Sequence, residues 1–386
     1  MVSPQKRIWG WWFFDWASQP YNTLLLTFIF GPYFAEIARS YYMEQGLGVD
    51  EASAAAQSYW AYGLTISSII IAVLAPFLGA IADGTGRRLV WVWVFSACYL
   101  IGSYGLWYVA PGGENLFLAV SLFGLGFIGM EFATIFTNAL MPSLGDHDDL
   151  GEISGSGFAF GYLGGMVALM LMLALFAENS ATGKTLIGID PLFGLDPESR
   201  EGTRAVGPFT AIWFAVFMVP FFLWVKEPKV ERRKLHIGLA MASLRDLIAG
   251  LRYRNSLAAF LLASLFYRDA LNALYAFGGV YASGVLNWEV QQIGIFGIVG
   301  VIAAVVASWI GGKADKRFGP KPVIAFSIVV LICVVSIIVG LTREQIFGLP
   351  LDPASRSSDN ILFVCGAFIG AAGGALQSAS RTLMVR

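Results

Sequence analysis

Carboxylates, amides and guanidinium groups recur at helical spacing inside the apolar runs of this chain. Asp15, Gln19 and Asn22 stand at i, i+4 and i+7, and Glu131, Thr134 and Asn138 at i, i+3 and i+7. Arg268, Asp269 and Asn272 interrupt a third run, and Gln377 and Arg381 a fourth. An ionisable group within hydrocarbon costs roughly 2.5–3.5 kcal/mol on insertion scales, so each of these needs a partner or a wet cavity. Steps of three and four residues gather each set on one face of its helix. Such faces can bind a polar solute. A carboxylate in low dielectric, or near a second carboxylate, has a raised pKa and can take up a proton near neutrality. The competing reading is structural, with Arg268–Asp269 or another carboxylate–arginine pair acting as a bridge that fixes packing. His147 and His236 fall in loops, no Ser–His–Asp or Cys–His set can be assembled, and the three cysteines lack metal-ligand spacing. No catalytic residue, cofactor or metal site is therefore expected.

The elements that hold these residues are apolar helices. The chain has 386 residues, 57% hydrophobic and 13% charged, with a mean hydropathy of +0.67. Soluble domains carry roughly 25% charged residues, so this is the composition of a membrane protein. A net charge of −1 gives no reason to expect nucleic acid as a partner. Ten segments reach the roughly 20 apolar residues that a span requires. Their limits are 8–38, 58–82, 89–110, 115–141, 154–176, 207–225, 256–284, 290–312, 322–341 and 360–383. The first follows Lys6 and Arg7 but runs far beyond the core of a signal peptide, so it reads as a retained span. With the N-terminus in the cytoplasm, inside segments hold 18 lysines and arginines and outside segments 6, which sets the orientation as N-in. By helical rise, Asp15 and Glu131 lie roughly 10 Å and 13 Å from the cytoplasmic ends of their spans, and Arg268 and Asp269 near the midplane. Trp9, Trp11, Trp12 and Trp288 fall near span ends as interface anchors. The acidic stretch GDHDDLGE (145–152) matches no EF-hand and reads as a solvated loop.

Residues 226–255 form the longest and most basic inside segment. Its stretch HIGLAMASLRDLIAGLRYR puts Ile237, Ala240, Leu244, Leu247, Ile248 and Leu251 on one face, as in a helix lying on the membrane surface. It divides the chain into an N-terminal bundle of six spans (1–225) and a C-terminal bundle of four (256–386). The stretch GAIADGTGRR (79–88) after the second span recurs as GGKADKRFGPK (311–321) after the eighth. Gly79, Asp83, Gly86, Arg87 and Arg88 correspond to Gly311, Asp315, Gly319 and Lys321, with one extra residue between Asp and Gly in the second copy. Two equivalent copies indicate an internal repeat of two bundles. Gly79 would admit a close helix approach, and Asp83 would pair with Arg87 or Arg88 or cap backbone amides. The glycines at 157, 161 and 165, and at 366, 370 and 374, recur every fourth residue and read as close helix packing.

At these residues the chain resembles the major facilitator superfamily, whose loop after the second helix reads G-x-x-x-D-[RK]-x-G-[RK]-[RK]; Gly84 replaces the first basic residue. FFDWASQPYNTLLLTFIFGPYF (13–34) and SGSGFAFGYLGG (154–165) are similar to the branch of fungal vacuolar amino-acid effluxers and their bacterial relatives. The resemblance implies an all-α polytopic fold of two pseudo-symmetric bundles, with ten spans here of an expected twelve, the chain continuing past Arg386 for two more helices. It implies a gate at the paired glycine–aspartate loops. The implied function is secondary active transport of a small polar solute by alternating access, with amino-acid efflux and proton coupling as expectations. The expected setting is the bacterial cytoplasmic membrane, with solute, lipid and a co-transported proton as partners and a monomer as the default. A facilitator-fold protein acting as an assembly or sensor partner is the alternative.

Overall fold

A segment surrounded by hydrocarbon must close its backbone hydrogen bonds internally, and this chain does so almost wholly as helices. The structure, a computed structural model, describes residues 2–113, 115–180, 182–227, 242, 245–246, 249–286, 288, 290–352 and 355–385. Helix α1 (Pro4–Pro20) passes through a π-helical segment (Tyr21–Phe28) into α2 (Phe30–Glu44). Then come α3 (Val49–Thr85), α4 (Arg88–Gly105), α5 (Leu116–Asn138), α6 (Leu150–Leu175), α7 (Glu201–Arg204), α8 (Val206–Phe217) and α9 (Val219–Trp224). Helices α10 (Asn255–Leu286), α11 (Val290–Phe318), α12 (Pro320–Gly340) and α13 (Ser357–Val385) follow, with a short hairpin of β1 (Gln345–Ile346) and β2 (Leu349–Pro350) before α13. Most of the linker helix expected within 226–255, including Ile237, Ala240, Leu244, Leu247 and Ile248, lies outside the described residues.

Among the described residues nine helical stretches are long and apolar enough to cross a membrane. The expected span missing from these nine is 8–38, because that run is broken where proline removes a donor. Pro20 cannot bond the carbonyl of Trp16, one turn earlier. That carbonyl instead accepts from the indole Nε1 of Trp213 at 3.1 Å, and the Trp16 and Trp213 rings stack at 5.8 Å. Beyond Pro20 the chain widens: the Ile29 amide donates five residues back to Leu24, and the Thr27 hydroxyl five back to Asn22. Ile29 then breaks the helix before α2.

The chain divides into two compact units, Met1–Leu140 with Gly164–Leu244, and Met141–Leu163 with Arg245–Arg386. In the first unit, α4 and α5 touch backbone to backbone, since a Cβ on Gly102 would lie 2.4 Å from the Gly126 nitrogen. Small residues at such crossings supply the dispersion contact that replaces hydrophobic driving force in lipid. Tyr99 stacks on Phe214 at 3.9 Å, tying α4 to α8. The buried Glu178 carboxylate accepts from the Thr203 amide at 3.0 Å and its hydroxyl at 2.7 Å, with Arg200 at 3.4 Å. In the second unit, Asp359 accepts from the Trp288 indole at 2.7 Å and pairs with Arg343. Glycines 366, 370 and 374 all meet α11, at the Phe296 ring, the Gly300 carbonyl and Ser308, as their four-residue spacing suggests.

Two of the expected interface anchors are core residues. Trp11 is 1% exposed and donates to the Thr137 carbonyl at 2.9 Å, and Trp288 is 4% exposed and held by Asp359. Their N–H groups have protein acceptors, so they need no headgroup layer.

The Trp16–Trp213 bond yields a prediction. Trp213→Phe strands a carbonyl and should cost about 1–2 kcal/mol, read as a lower thermal unfolding midpoint in detergent. In a Pro20→Ala background the amide restored at position 20 can serve Trp16, so the same substitution should cost measurably less. Equal costs in both backgrounds would refute the account.

Candidate functional site

In the first unit α1 and α5, which carry the first two polar stripes, run alongside each other. Trp11 donates to the Thr137 carbonyl, and the Tyr21 hydroxyl donates to the Phe123 carbonyl. These two bonds fix the register of two oppositely directed helices. Ten steps on α1 accompany about fourteen on α5, so Asp15, one turn after Trp11, falls at the height of residue 131 or 132. Asp15 and Glu131 therefore share a level, and both are half-buried. Gln19, one turn further, packs on α6, where a Cβ on Gly165 would lie 2.8 Å from its Cγ. Asn22 sits in the π segment. The Thr134 hydroxyl is spent on its own helix, donating to the Met130 carbonyl at 2.8 Å, and Asn138 closes α5.

In the second unit Arg268, Asp269 and Asn272 lie on an exposed face of α10. The buried face turns Tyr267 and Leu271 inward, and the Tyr267 hydroxyl bonds that of Ser380 on α13 at 2.7 Å. Among the described residues Arg268 and Asp269 form no ion pair, as expected of adjacent residues on a helix. Gln377 is not joined to them. Its Nε2 donates to the Tyr162 hydroxyl at 3.0 Å, and Tyr275 also hydrogen-bonds it.

The two glycine–aspartate loops close their helices with the same backbone hydrogen bond. α3 ends at Gly86 with φ 64°, whose amide donates to the Ala82 carbonyl at 2.9 Å. α11 ends at Gly319 with φ 83°, whose amide donates to Asp315 at 2.8 Å. Gly86 is a left-handed cap, whereas Gly319 combines a positive φ with an extended ψ; glycine adopts both without a Cβ clash, and the next helix starts at once, at Arg88 or Pro320. Among the described residues nothing lies within 4 Å of a Cβ position at Gly79, so none of them makes the close approach expected there. It occurs at the second copy, where a Cβ on Gly311 would meet Ala375 at 3.0 Å. Arg87 is exposed and Arg88 half-buried, and the Leu89 amide is capped by Glu227 at 2.7 Å. The Asp83 side chain lies outside the described residues.

Within the second unit the start of α6 crosses α11 and the end of α13. Sequence reasoning missed this junction. Asp315 is fully buried, and a Cβ on Gly151 would fall 2.6 Å from its Cγ. A Cβ on Gly155 would fall 2.4 Å from the Ser308 carbonyl and 2.6 Å from the Gly312 Cα. Lys316 pairs with Asp149 at 2.8 Å and Glu152 at 3.0 Å. The acidic 145–152 stretch thus has a structural task beyond solvation. Arg381, 6% exposed, donates to the Ser154 hydroxyl at 2.9 Å and carbonyl at 2.7 Å and covers the Phe158 ring at 4.0 Å. Lys321 is exposed just after the Gly319 cap. The only signal for the junction in the sequence was Arg381, a charge in an apolar run with no local partner.

Comparisons with known proteins agree with this architecture. Residues 3–386 match the family described as vacuole effluxer Atg22 like. The MFS-type transporter YxiO of Bacillus subtilis (strain 168) is 25% identical over 87% of this chain and 74% of its own length. A protein of Aquifex aeolicus (strain VF5) is 26% identical over 63% of this chain and 52% of its own. Among solved structures, the human organic anion transporter MFSD10 (TETRAN) superposes with a TM-score of 0.69 at 14% identity, covering 100% of this chain and 86% of that one. The proton:xylose symporter XylE, bound to 6-bromo-6-deoxy-D-glucose, gives 0.66 at 13% identity, over 99% and 81%. With its helical spans, its repeated glycine-capped corners and a family match along nearly its whole length, the chain is an integral membrane protein that belongs to the Atg22-like vacuole effluxer family, within the major facilitator superfamily of transporters.

Proposed function

We propose that this protein is a secondary active transporter that exports a small polar solute, with amino acids as the substrate class, by alternating access coupled to protons. The observation that carries this reading is the common height of Asp15 and Glu131, two half-buried acidic residues on apolar helices of one unit. Acidic residues at one depth of an apolar bundle suit proton coupling. The ammonium of an amino acid suits such a pair. In the second unit the exposed Arg268 on α10 suits a carboxylate, and Asp269, Asn272 and Gln377 of that unit, like Gln19, Asn22, Thr134 and Asn138 of the first, are proposed as further polar residues that meet solute. Export is supported by the family's description as effluxers, and proton coupling by XylE, a structural neighbour described as a proton:xylose symporter. The excess of basic residues in alternate segments supports a cytoplasmic N-terminus in a bacterial inner membrane.

The test is flux of labelled amino acids from proteoliposomes under an imposed pH gradient. Asp15→Asn and Glu131→Gln should each lower flux at least roughly tenfold and flatten its pH dependence while the protein stays folded. Intact flux with intact pH dependence in both variants would remove these residues from the site.

The α6–α11–α13 junction is proposed as the latch that is made in one state of the cycle and broken in another. Gly312→Leu should slow flux at least roughly tenfold, because its side chain has no space beside Gly151 and Gly155. Lys316→Gln should cost less than about fivefold, since its ion pairs are nearly half-exposed. A larger effect at Lys316 than at Gly312 would show that charge and not packing holds the latch. Asp83→Asn should also slow flux, and unchanged rates would leave that loop a simple turn.

A further inference from the structure

A groove of about 790 Å³ runs along the second unit between α11, α12 and α13. Its floor is small, with Ala303, Ala307 and Ala371, and its walls are large, with Ile310, Phe326 and Phe368. It extends along α11 from Val299 to Phe318, roughly 28 Å at helical rise, close to the thickness of a hydrocarbon core. Ser327 is the one residue with a polar side-chain atom among its lining. A pocket for a polar solute would carry several convergent polar groups, and this one does not.

Cations surround one end of the groove. Phe318 and Pro322 line the groove where α11 turns into α12, and Lys313, Arg317 and Lys321 are exposed around that corner. Lys316, on the same turn, is taken by Asp149 and Glu152. Among the described residues no carboxylate pairs with Lys313, Arg317 or Lys321. Lys313 instead lies 3.5 Å from the centre of the Trp309 ring, and Arg317 lies over Phe318. An apolar trough with three cations and an aromatic at its mouth is complementary to one molecule of the surrounding solvent: a lipid with an anionic headgroup.

We infer that this groove is a binding site for an anionic phospholipid, its acyl chain along α11, α12 and α13 and its phosphate held by Lys313, Arg317 and Lys321. Each basic residue at an anionic headgroup layer contributes on the order of a factor of five, so three together give roughly 100-fold preference over a neutral lipid. This site is separate from the polar stripes and independent of what the protein transports.

The experiment is native mass spectrometry of the full chain released from mild detergent with an equimolar mixture of phosphatidylglycerol and phosphatidylcholine. One tightly retained phosphatidylglycerol is expected. The variant carrying Lys313→Gln, Arg317→Gln and Lys321→Gln should retain it roughly 10- to 100-fold less. Ala371→Phe, which fills the floor, should also release it, whereas Lys226→Gln, an exposed cation of the first unit, should not. Should the filled variant fail to fold, phosphatidylglycerol with brominated tails provides a second readout. It should quench Trp309 fluorescence, measured as the difference between the native chain and Trp309→Phe, and phosphatidylcholine with brominated tails should do so far less. Equal retention of the two lipids, undiminished retention in the triple variant, undiminished retention in a folded Ala371→Phe, or equal quenching by both brominated lipids would each overturn the proposal.

Discussion

A peptide group in hydrocarbon has no water to turn to, and this requirement shapes every irregular feature of the chain. Pro20 deletes one donor, and the consequences extend through two elements. The Trp16 carbonyl draws an indole from α8, and the following eight residues re-form as a π segment whose bonds reach five residues back. π segments widen the helix and shift the register of the side chains beyond them. The polar stripe of Asp15, Gln19 and Asn22 straddles this change, so Asn22 does not sit where an ideal helix would carry it. Asp15, before the break, keeps the regular geometry that aligns it with Glu131.

Much of this was legible. The two corners were readable because a glycine after a helical aspartate, followed by basic residues or proline, can end a helix in only a few ways, and both glycines take a positive φ. The stripes of α1 and α5 were readable because polar residues in apolar runs are rare and their spacing selects a face. The break in the first span was half readable: Pro20 announces a lost donor, but the group that serves the Trp16 carbonyl instead, the Trp213 indole, lies far along the chain. The anchoring of Trp11 and Trp288 in the core was not readable, since a tryptophan near a span end carries no mark of whether its N–H meets a headgroup or a carbonyl.

The α6 crossing shows a further limit. A glycine ladder at 157, 161 and 165 identifies a helix fit for close packing, yet the contacts at its start use Gly151 and Gly155, and Gly165 packs on α1. Periodicity gives a face and says nothing of the height at which two helices meet. The same applies to Asp149 and Glu152, whose partner Lys316 is more than a hundred residues away. Read locally they are solvated acids, and only the fold reveals that they close a corner.

The two kinds of charge at that corner carry different weight. Lys316 and its carboxylates are nearly half-exposed, so water can replace each partner and the pairs contribute little. Arg381 cannot exchange so easily. Its guanidinium is almost fully buried and binds the Ser154 hydroxyl and carbonyl and the face of Phe158, all supplied by one turn of α6. Moving that turn would take all of these contacts from a buried charge at once. Gly155 and Gly312 add contacts that vanish with small separations, because dispersion falls steeply with distance. The junction is therefore held by a buried cation and two bare backbones. Such an arrangement is either closed or open with little between, and the visible surface ion pairs orient it more than they hold it.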